Sequence, residues 1–331
     1  MAAAFGSVFA GRMGITHFAE GSFEVPELID TGELTLSPAA HALHYGSSCF
    51  EGLKAHKGAD GVTRIFRLDA HVERMRRSAE LLMLPVPSAD LLSGLISDVV
   101  AANLDDVPDA PGALYLRPVL LGTEPNIGAA ARPSSTALLY VLASPVGDYF
   151  DSSRTLTVAV ETELPRTTPQ FGRIKTGANY AMALGVTLQA KAEHEADQVL
   201  FAPGGIVQET GAANFLMIAG DTVVTRALDA SFLHGVTRDS VLTLAADHGL
   251  TVEERDLSVD ELAGKAGACE AVLSGTAAVL APIGHLVIDG KRLEVGDGEM
   301  GPHTRELREA LLAIQRGQAE DAHGWTRPVG A

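Results

Sequence analysis

The chain contains six lysines, and five of them have an ordinary solvated reading. Lys54 lies on a hairpin strand, Lys57 and Lys291 flank turns, Lys191 sits in a charged helical stretch and Lys265 ends a short helix, so each can keep its ammonium in water. Lys175 differs. It stands in Gly172-Arg173-Ile174-Lys175-Thr176-Gly177-Ala178-Asn179-Tyr180, aperiodic backbone leading into an apolar helix. The neighbouring Arg173 and partial desolvation would both favour the neutral amine that a Schiff-base nucleophile requires. Taken alone, the segment still reads first as an ordinary loop lysine. Tyr115 and Arg117 are two apart in a strand pattern, so they share a face and can converge on one ligand. The plainer role for Arg117 is a structural ion pair at a sheet edge. Glu209 follows the turn Pro203-Gly204-Gly205 and precedes an apolar strand, where an exposed strand-end acid is the plain alternative.

The elements that must position these residues are legible in outline. Residues 50–57 and 62–67 are strand-like and flank the turn Gly58-Ala59-Asp60-Gly61, which predicts a hairpin. A helix follows, with Asp69 as its expected N-cap and Val72, Met75, Ala79 and Leu82 at helical spacing before Pro85 stops it. Ser88 caps a second helix whose apolar face carries Leu91, Leu92, Leu95, Ile96 and Val99. Strands over 113–121 and 136–143 come next, and their link, 122–133, is rich in Gly, Ala and Pro and reads as a mobile functional loop. Breakers in Ser144-Pro145-Val146-Gly147-Asp148 place a domain boundary there. Beyond it, strands near 155–161, 198–202, 215–219, 251–255 and 271–273 alternate with helices near 179–195, 237–249 and 302–315. The Gly-rich segments lack the spacing of a nucleotide phosphate loop or a dinucleotide fingerprint, which removes support for nucleotide binding.

Composition bounds the function further. With 46% hydrophobic and 20% charged residues over 331 positions, the chain is that of a folded protein of about two domains. Its formal charge of −17 repels phosphate backbones and anionic lipid, so nucleic acid and membrane surfaces are unexpected partners. Cys49 and Cys269 form neither a disulfide framework nor a metal cluster and read as small core residues of a reducing compartment. Residues 1–10 carry no cation ahead of their apolar part and make a poor signal peptide, and no segment is long and apolar enough to span a bilayer. The cytoplasm is the expected location, and no metal is expected.

Read together and in order, the motifs resemble the class IV aminotransferases, the fold-type IV enzymes that use pyridoxal 5′-phosphate (PLP), and are most similar to the branched-chain amino acid aminotransferases. The resemblance rests on His41-Ala42-Leu43-His44-Tyr45-Gly46, Phe50-Glu51-Gly52, Leu114-Tyr115-Leu116-Arg117-Pro118 and the lysine segment. It continues through Glu209-Thr210-Gly211-Ala212-Ala213-Asn214-Phe215, Leu233-His234-Gly235-Val236-Thr237-Arg238 and Ser274-Gly275-Thr276-Ala277-Ala278, and so covers nearly the whole chain. Leu216 departs from the aromatic residue that the family prefers after Asn-Phe, and loop 122–133 does not follow the form of the best-matching relatives.

The resemblance implies an α+β fold of two domains, similar to D-amino acid aminotransferase, with a smaller domain over 1–144, a connecting loop over 145–150 and a larger PLP-binding domain over 151–331. PLP would lie between the domains as a Schiff base on Lys175, which would also move the substrate proton. Glu209 would hydrogen-bond the pyridine nitrogen, Tyr180 the 3′-oxygen, and Arg74, Val236, Thr237 and Thr276 the phosphate. The last set makes physical sense, since Val236 and Thr237 open a helix whose N–H groups and dipole favour an anion. On the substrate side, Arg117 would take the distal carboxylate of glutamate with Tyr45 assisting, Thr276, Ala277 and Tyr115 the α-carboxylate, and Phe50 an aliphatic side chain. His41 and His44 receive no role. The implied activity is exchange between branched-chain L-amino acids and 2-oxoglutarate in a homodimer or higher oligomer, where loop 122–133 reaches the neighbouring subunit's active site. An (R)-selective amine or D-amino acid transaminase on the same scaffold, or a PLP-binding protein without turnover, are the alternatives.

Overall fold

The computed structural model describes residues 5–147 and 154–330. Residues 1–4 of the N-terminal stretch and 148–150 of the expected connecting loop lie outside the described residues. The chain divides into two compact units. The first takes the N-terminal half together with Ile174–Gly177 and the C-terminal segment from Ala313, and the second takes the remainder up to Leu312. A division by sequence order alone, 1–144 and 151–331, places those two segments with the second half, whereas in space they pack with the first.

In the first unit, strands β1 (Arg12–Ala19), β2 (Ser22–Phe23), β3 (Glu27–Asp30), β4 (Ser48–Phe50), β5 (Leu53–Lys57), β6 (Thr63–Phe66), β7 (Ala113–Gly122) and β8 (Ala137–Val146) join the C-terminal strand Thr326–Val329 in a mixed-order sheet of nine strands among the described residues. Its order runs from Thr326–Val329 through β6, β5, β7, β8 and β1 to β2, with β3 also on β1 and β4 on β7. Helices α1 (His41–Tyr45), α2 (Leu68–Leu81) and α3 (Ala89–Ala102) complete the unit. Strand alternation sends Leu114, Leu116 and Leu120 of β7 into one core with Val72, Met75 and Ala79 of α2 and Leu92, Leu95, Ile96 and Val99 of α3. The capping of α3 is as expected: Ser88 Oγ accepts from the Leu91 N–H at 3.1 Å. For α2 the N-cap is Arg67, not Asp69. The hairpin runs straight into the helix through a left-handed Arg67, leaving Asp69 in the first turn, where its carboxylate meets the helix dipole and Arg327 at 2.9 Å.

His56 of β5 is 3% exposed, and neither ring nitrogen has a hydrogen-bond partner. Burial, with the charges of Lys54 and Arg316 adding to it, pushes the imidazole down from 6.5 to about 3. The ring is therefore neutral in both folded and unfolded chains above pH 6.5, and below it the unfolded chain protonates first, so stability falls as the pH drops toward 3. Between about pH 7 and about pH 5 this one residue accounts for about 2 kcal/mol. His56→Met is expected to lose correspondingly less stability over that interval, as read from urea midpoints at the two pH values. An unchanged acid dependence would remove His56 from the explanation.

The second unit is built on β9 (Leu156–Glu161), β10 (Gln198–Phe201), β11 (Asn214–Ala219), β12 (Thr222–Thr225), β13 (Thr251–Glu254), β14 (Glu270–Gly275), β15 (Val279–Ile288) and β16 (Lys291–Glu294). The order is β10-β9-β15-β14-β11-β12-β13, with β16 on β15. Its helices are α4 (Gly177–His194), α5 (Val236–Asp247), α6 (Val259–Lys265) and α7 (Pro302–Gln315), whose last turn belongs to the first unit. Apolar residues of β9, β11, β14 and β15 form its core, among them Val158, Phe215, Met217, Leu273 and Ile283. No helix of the described residues is long and apolar enough to cross a membrane, and no group of three or more His, Cys, Asp or Glu among them could hold a metal ion.

Candidate active site

The main chain of Lys175 is gripped on two sides within the first unit. Its N–H donates to Ser78 Oγ of α2 at 3.2 Å, and its carbonyl accepts from the Phe50 N–H of β4 at 3.1 Å. The Nζ atom lies 5.2 Å from the centroid of the Phe50 ring, and the same ring lies 4.6 Å from the Arg117 guanidinium carbon. Tyr115 and Arg117 do share a face of β7. Arg117 Nη2 donates to Tyr115 Oη at 2.8 Å, and the guanidinium stands 5.3 Å from the Tyr115 ring. The plain reading of Arg117 as an edge-strand ion pair fails on both counts. Strand β7 is flanked by β4 and β5 on one side and β8 on the other, and among the described residues Arg117 meets no carboxylate. Its Nε is buried without a partner. A guanidinium held by aromatic faces and one phenol has the chemistry to receive an anion, with apolar walls beside it.

Gly52 is required here, because a Cβ at that position would run into Tyr115 Oη. Phe5 packs edge-on against the same tyrosine, ring centroids 5.0 Å apart. Tyr140 was missed in the sequence. It lies opposite Val119 in the β7–β8 ladder, so it shares the face of Tyr115 and Arg117. Burial raises its phenol, with the Arg117 charge pulling the other way. Only the register of the ladder reveals it.

Tyr45 is not joined to Arg117. Its hydroxyl donates to the Ile127 carbonyl, and it stands 37% exposed on α1. The expected assistance to Arg117 is therefore absent from the contacts of this chain. Loop 122–133 is tied down, in contrast with the expected mobile loop. The His41 ring spans Ser47 Oγ at 2.8 Å and the carbonyls of Ala129 and Arg132 at 3.3 and 3.2 Å. Glu124 pairs with Arg132 and accepts from the Ser135 N–H and hydroxyl, each at 2.9 Å. These bonds close on a segment whose Gly, Ala and Pro content suggested only freedom.

Arg74 is paired with a residue that received no role in the sequence. Its Nε and Nη2 donate to Glu51 Oε1 and Oε2 at 2.6 and 2.9 Å, and His71 Nδ1 lies 2.7 Å from Oε2. Glu51 is 1% exposed. Burial by itself would raise its carboxyl, but Arg74 and His71, through charge and hydrogen bonds, hold it well below the usual carboxylate range. Burial lowers the His71 imidazole against the pull of Glu51. The neighbouring Cys49 thiol is pushed up to about 12 by burial and by Glu51, so it is inert.

In the second unit, Glu209 is a buried acid and not an exposed strand end. Its Oε1 meets Arg166 Nη2 at 2.6 Å and the Leu233 N–H at 2.9 Å, while Oε2 accepts from Asn214 Nδ2 at 3.1 Å. Thr210 Oγ1 closes the turn to Asn214 by accepting from the Ala213 N–H at 3.0 Å. Asn214 Nδ2 also donates to the Leu233 carbonyl at 2.8 Å, and a Cβ on Gly235 would run into Asn214 Oδ1. The glycine therefore lets the Leu233–Gly235 segment lie on Asn214 and open α5 with no side-chain cap. Val236 and Thr237, both buried, form the first turn of that helix. Thr276 and Ala277 make the turn between β14 and β15, two residues after Ser274, whose buried Oγ has no partner. Tyr180 is half-buried in the first turn of α4. Asn214 stood in the Glu209–Phe215 motif without a role, and Arg166 carried no signal in the sequence, since only the fold brings it to Glu209.

These residues fit PLP. A buried carboxylate suits a protonated pyridine nitrogen, and a buried helix start with no side-chain cap suits a phosphate. The family model for amino-transferase class IV matches residues 48–286. Among curated proteins, the branched-chain-amino-acid aminotransferase of Mycobacterium tuberculosis (strain H37Rv) is 38% identical over 98% of this chain and 92% of its own length. The branched-chain-amino-acid aminotransferase 2 of Bacillus subtilis is 36% identical over 99% of this chain and 92% of its own. Among solved structures, the branched-chain aminotransferase of the thermophilic archaeon Thermoproteus uzoniensis with norvaline superposes with a TM-score of 0.79 at 28% identity, covering 96% of this chain and 99% of that one. With its family signature spanning most of the sequence and full-length relatives of one kind, the chain belongs to the class IV aminotransferases, the PLP-dependent enzymes of fold type IV.

Proposed function

We propose that this enzyme transfers the amino group of branched-chain L-amino acids to 2-oxoglutarate, forming branched-chain 2-oxo acids and L-glutamate, and that it works as a homodimer or higher oligomer in the cytoplasm. One observation carries the substrate reading: the Phe50 ring has the Lys175 amine on it at 5.2 Å and the Arg117 guanidinium at 4.6 Å, so an apolar surface adjoins both a nucleophile and an anion receptor. An aliphatic side chain can pack on the ring, and a distal carboxylate can meet the guanidinium. The names of the relatives support branched-chain substrates, and nothing among them favours an amine or D-amino acid transaminase. Exposed apolar side chains at Leu43 and Ile127, and at Met182, Leu184 and Leu188 on α4, support assembly. Tyr45, latched to loop 122–133, is proposed to serve the neighbouring subunit's site. The unpaired, buried cysteines agree with a reducing compartment.

PLP, when bound, supplies an electron sink for the charge that develops at the substrate Cα. Everything else falls to the chain. Lys175 is proposed to hold the cofactor through Nζ and, once released, to carry the proton from Cα to the cofactor carbon as the general base. Glu209, with Arg166 beside it, would accept the pyridine N–H; Tyr180 would donate to the 3′-oxygen. Arg74, the N–H groups of Val236 and Thr237, and the Thr276 hydroxyl would hold the phosphate. Arg117 and Tyr115 would orient the substrate carboxylates together with the Thr276-Ala277 turn, and Phe50 would exclude water from the aliphatic side chain.

Glu209→Gln tests the cofactor side. The amide keeps the shape, and Asn214 and Leu233 can still hydrogen-bond to it, but it no longer holds a proton on the pyridine nitrogen. Losing one buried, charge-assisted bond is expected to slow the L-leucine half-reaction by roughly 10²-fold or more in stopped flow. An unchanged rate would detach Glu209 from the chemistry.

A further inference from the structure

Strands β4, β7 and β8 set three residues in one row across the sheet: Phe50 lies opposite Val119, and Val119 opposite Tyr140. Residues directly opposite in an antiparallel ladder point to the same face, and alternation along β7 adds Tyr115 and Arg117 to it. Leu116 and Leu120 turn the other way, into the core. The direct partner of Arg117 on β8 is Leu142, so Tyr140 is its diagonal neighbour. Such neighbours stand about 7–8 Å apart, within reach of an aromatic and a long side chain. The rings on this face divide the work. Phe50 and Tyr115 flank the guanidinium at 4.6 and 5.3 Å, and Tyr115 Oη already accepts from Arg117 Nη2. Tyr140 is half-buried, and among the described residues its hydroxyl has no hydrogen-bond partner. Burial raises that phenol above its ordinary 10 although the Arg117 charge opposes it, so the group stays a neutral donor across the working range of pH.

We infer that Tyr140 is a specificity-determining residue for the dicarboxylate substrates: its hydroxyl donates a hydrogen bond to the distal carboxylate that Arg117 receives. The inference rests on the reading that Arg117 meets that carboxylate. A dicarboxylate approaches against the field of a chain whose formal charge is −17, and its distal carboxylate, once desolvated, has more lone pairs than one partly engaged guanidinium satisfies. A phenol supplies the missing donor without a second cation. That matters for dual specificity, because an aliphatic side chain in the same space would strand a second desolvated charge, whereas an idle phenol costs far less to leave unmatched.

The test removes the hydroxyl and keeps the ring. Holoenzyme is titrated with glutarate and, separately, with 4-methylpentanoate, unreactive acids with and without a distal carboxylate, and the absorbance of the bound cofactor is followed. Tyr140→Phe is expected to weaken glutarate by about 10–100-fold, the scale of one hydrogen bond to a charged group, and 4-methylpentanoate by no more than about threefold. The same split is expected between the glutamate and leucine half-reactions in kcat/KM. Added to Arg117→Met, the substitution should cost glutarate well under its effect in the wild-type background, because the carboxylate is no longer held where the hydroxyl can reach it. Unchanged glutarate affinity in Tyr140→Phe, equal losses for the two acids, or losses that add in the double variant would overturn the inference while leaving the Arg117 reading intact. Equal losses of glutarate and 4-methylpentanoate in Arg117→Met would instead remove that reading, and the inference with it.

Discussion

Lys175→Ala is expected to end multiple turnover, with a loss of about 10⁴-fold or more, because in the proposed mechanism one substitution removes both the covalent partner of the cofactor and the base that moves the Cα proton. The fold should survive. The main-chain bonds of residue 175 to Ser78 Oγ and to the Phe50 N–H do not use the side chain, and no large apolar group is lost from the core. PLP should still bind through its phosphate and ring nitrogen, so the variant is expected to retain cofactor but with the absorbance of the free aldehyde form. A small primary amine added to the buffer should restore a measurable part of the proton transfer. Turnover at the wild-type level would sink the assignment of Lys175, and loss of the folded state would show that the side chain serves the frame around Phe50 instead.

Arg117→Met is expected to separate the two substrates. If the guanidinium meets only the distal carboxylate, glutamate and 2-oxoglutarate lose roughly 10²–10³-fold or more in kcat/KM, the cost of leaving one partner of a desolvated ion pair unmatched, about 3–5 kcal/mol. Leucine should stay within about tenfold, since methionine fills similar volume beside Phe50 and an aliphatic donor makes no ion pair. Part of that small loss would come from Tyr115, whose hydroxyl now accepts from Arg117 Nη2 at 2.8 Å. The two half-reactions must be followed singly, because a ping-pong steady state mixes them. Equal losses for leucine and glutamate would give Arg117 to the α-carboxylate or to packing, and the account of dual specificity would fail.

The outcome at particular residues separates local from long-range information. The helix cap at Ser88 and the pairing of Tyr115 with Arg117 on one strand face were readable from spacing, and the structure has both. The cap at Asp69 was not, because the choice of N-cap depended on how tightly the preceding hairpin strand ran into the helix. Loop 122–133 misled for a related reason. Its small residues report the freedom of the isolated backbone, whereas the bonds from His41 that restrain it come from 88 and 91 residues away.

By itself, the sequence determined the alternating strand that carries Tyr115 and Arg117 and the helix that opens at Val236, both set within a few residues by backbone period and turn chemistry. It also held the order of motifs that marks the family, and only through those motifs did it single out Lys175. Only the tertiary structure decided that Glu51 grips Arg74 from 23 positions away and that a buried Arg166 pairs with Glu209. It alone placed Tyr140 beside Arg117, put Lys175 and Arg117 on one Phe50 ring, and packed Ile174–Gly177 with the N-terminal half of the chain. The reason is that buried charges must find partners wherever the sheet register and helix packing bring them, and neither register nor packing is written in any local window of residues.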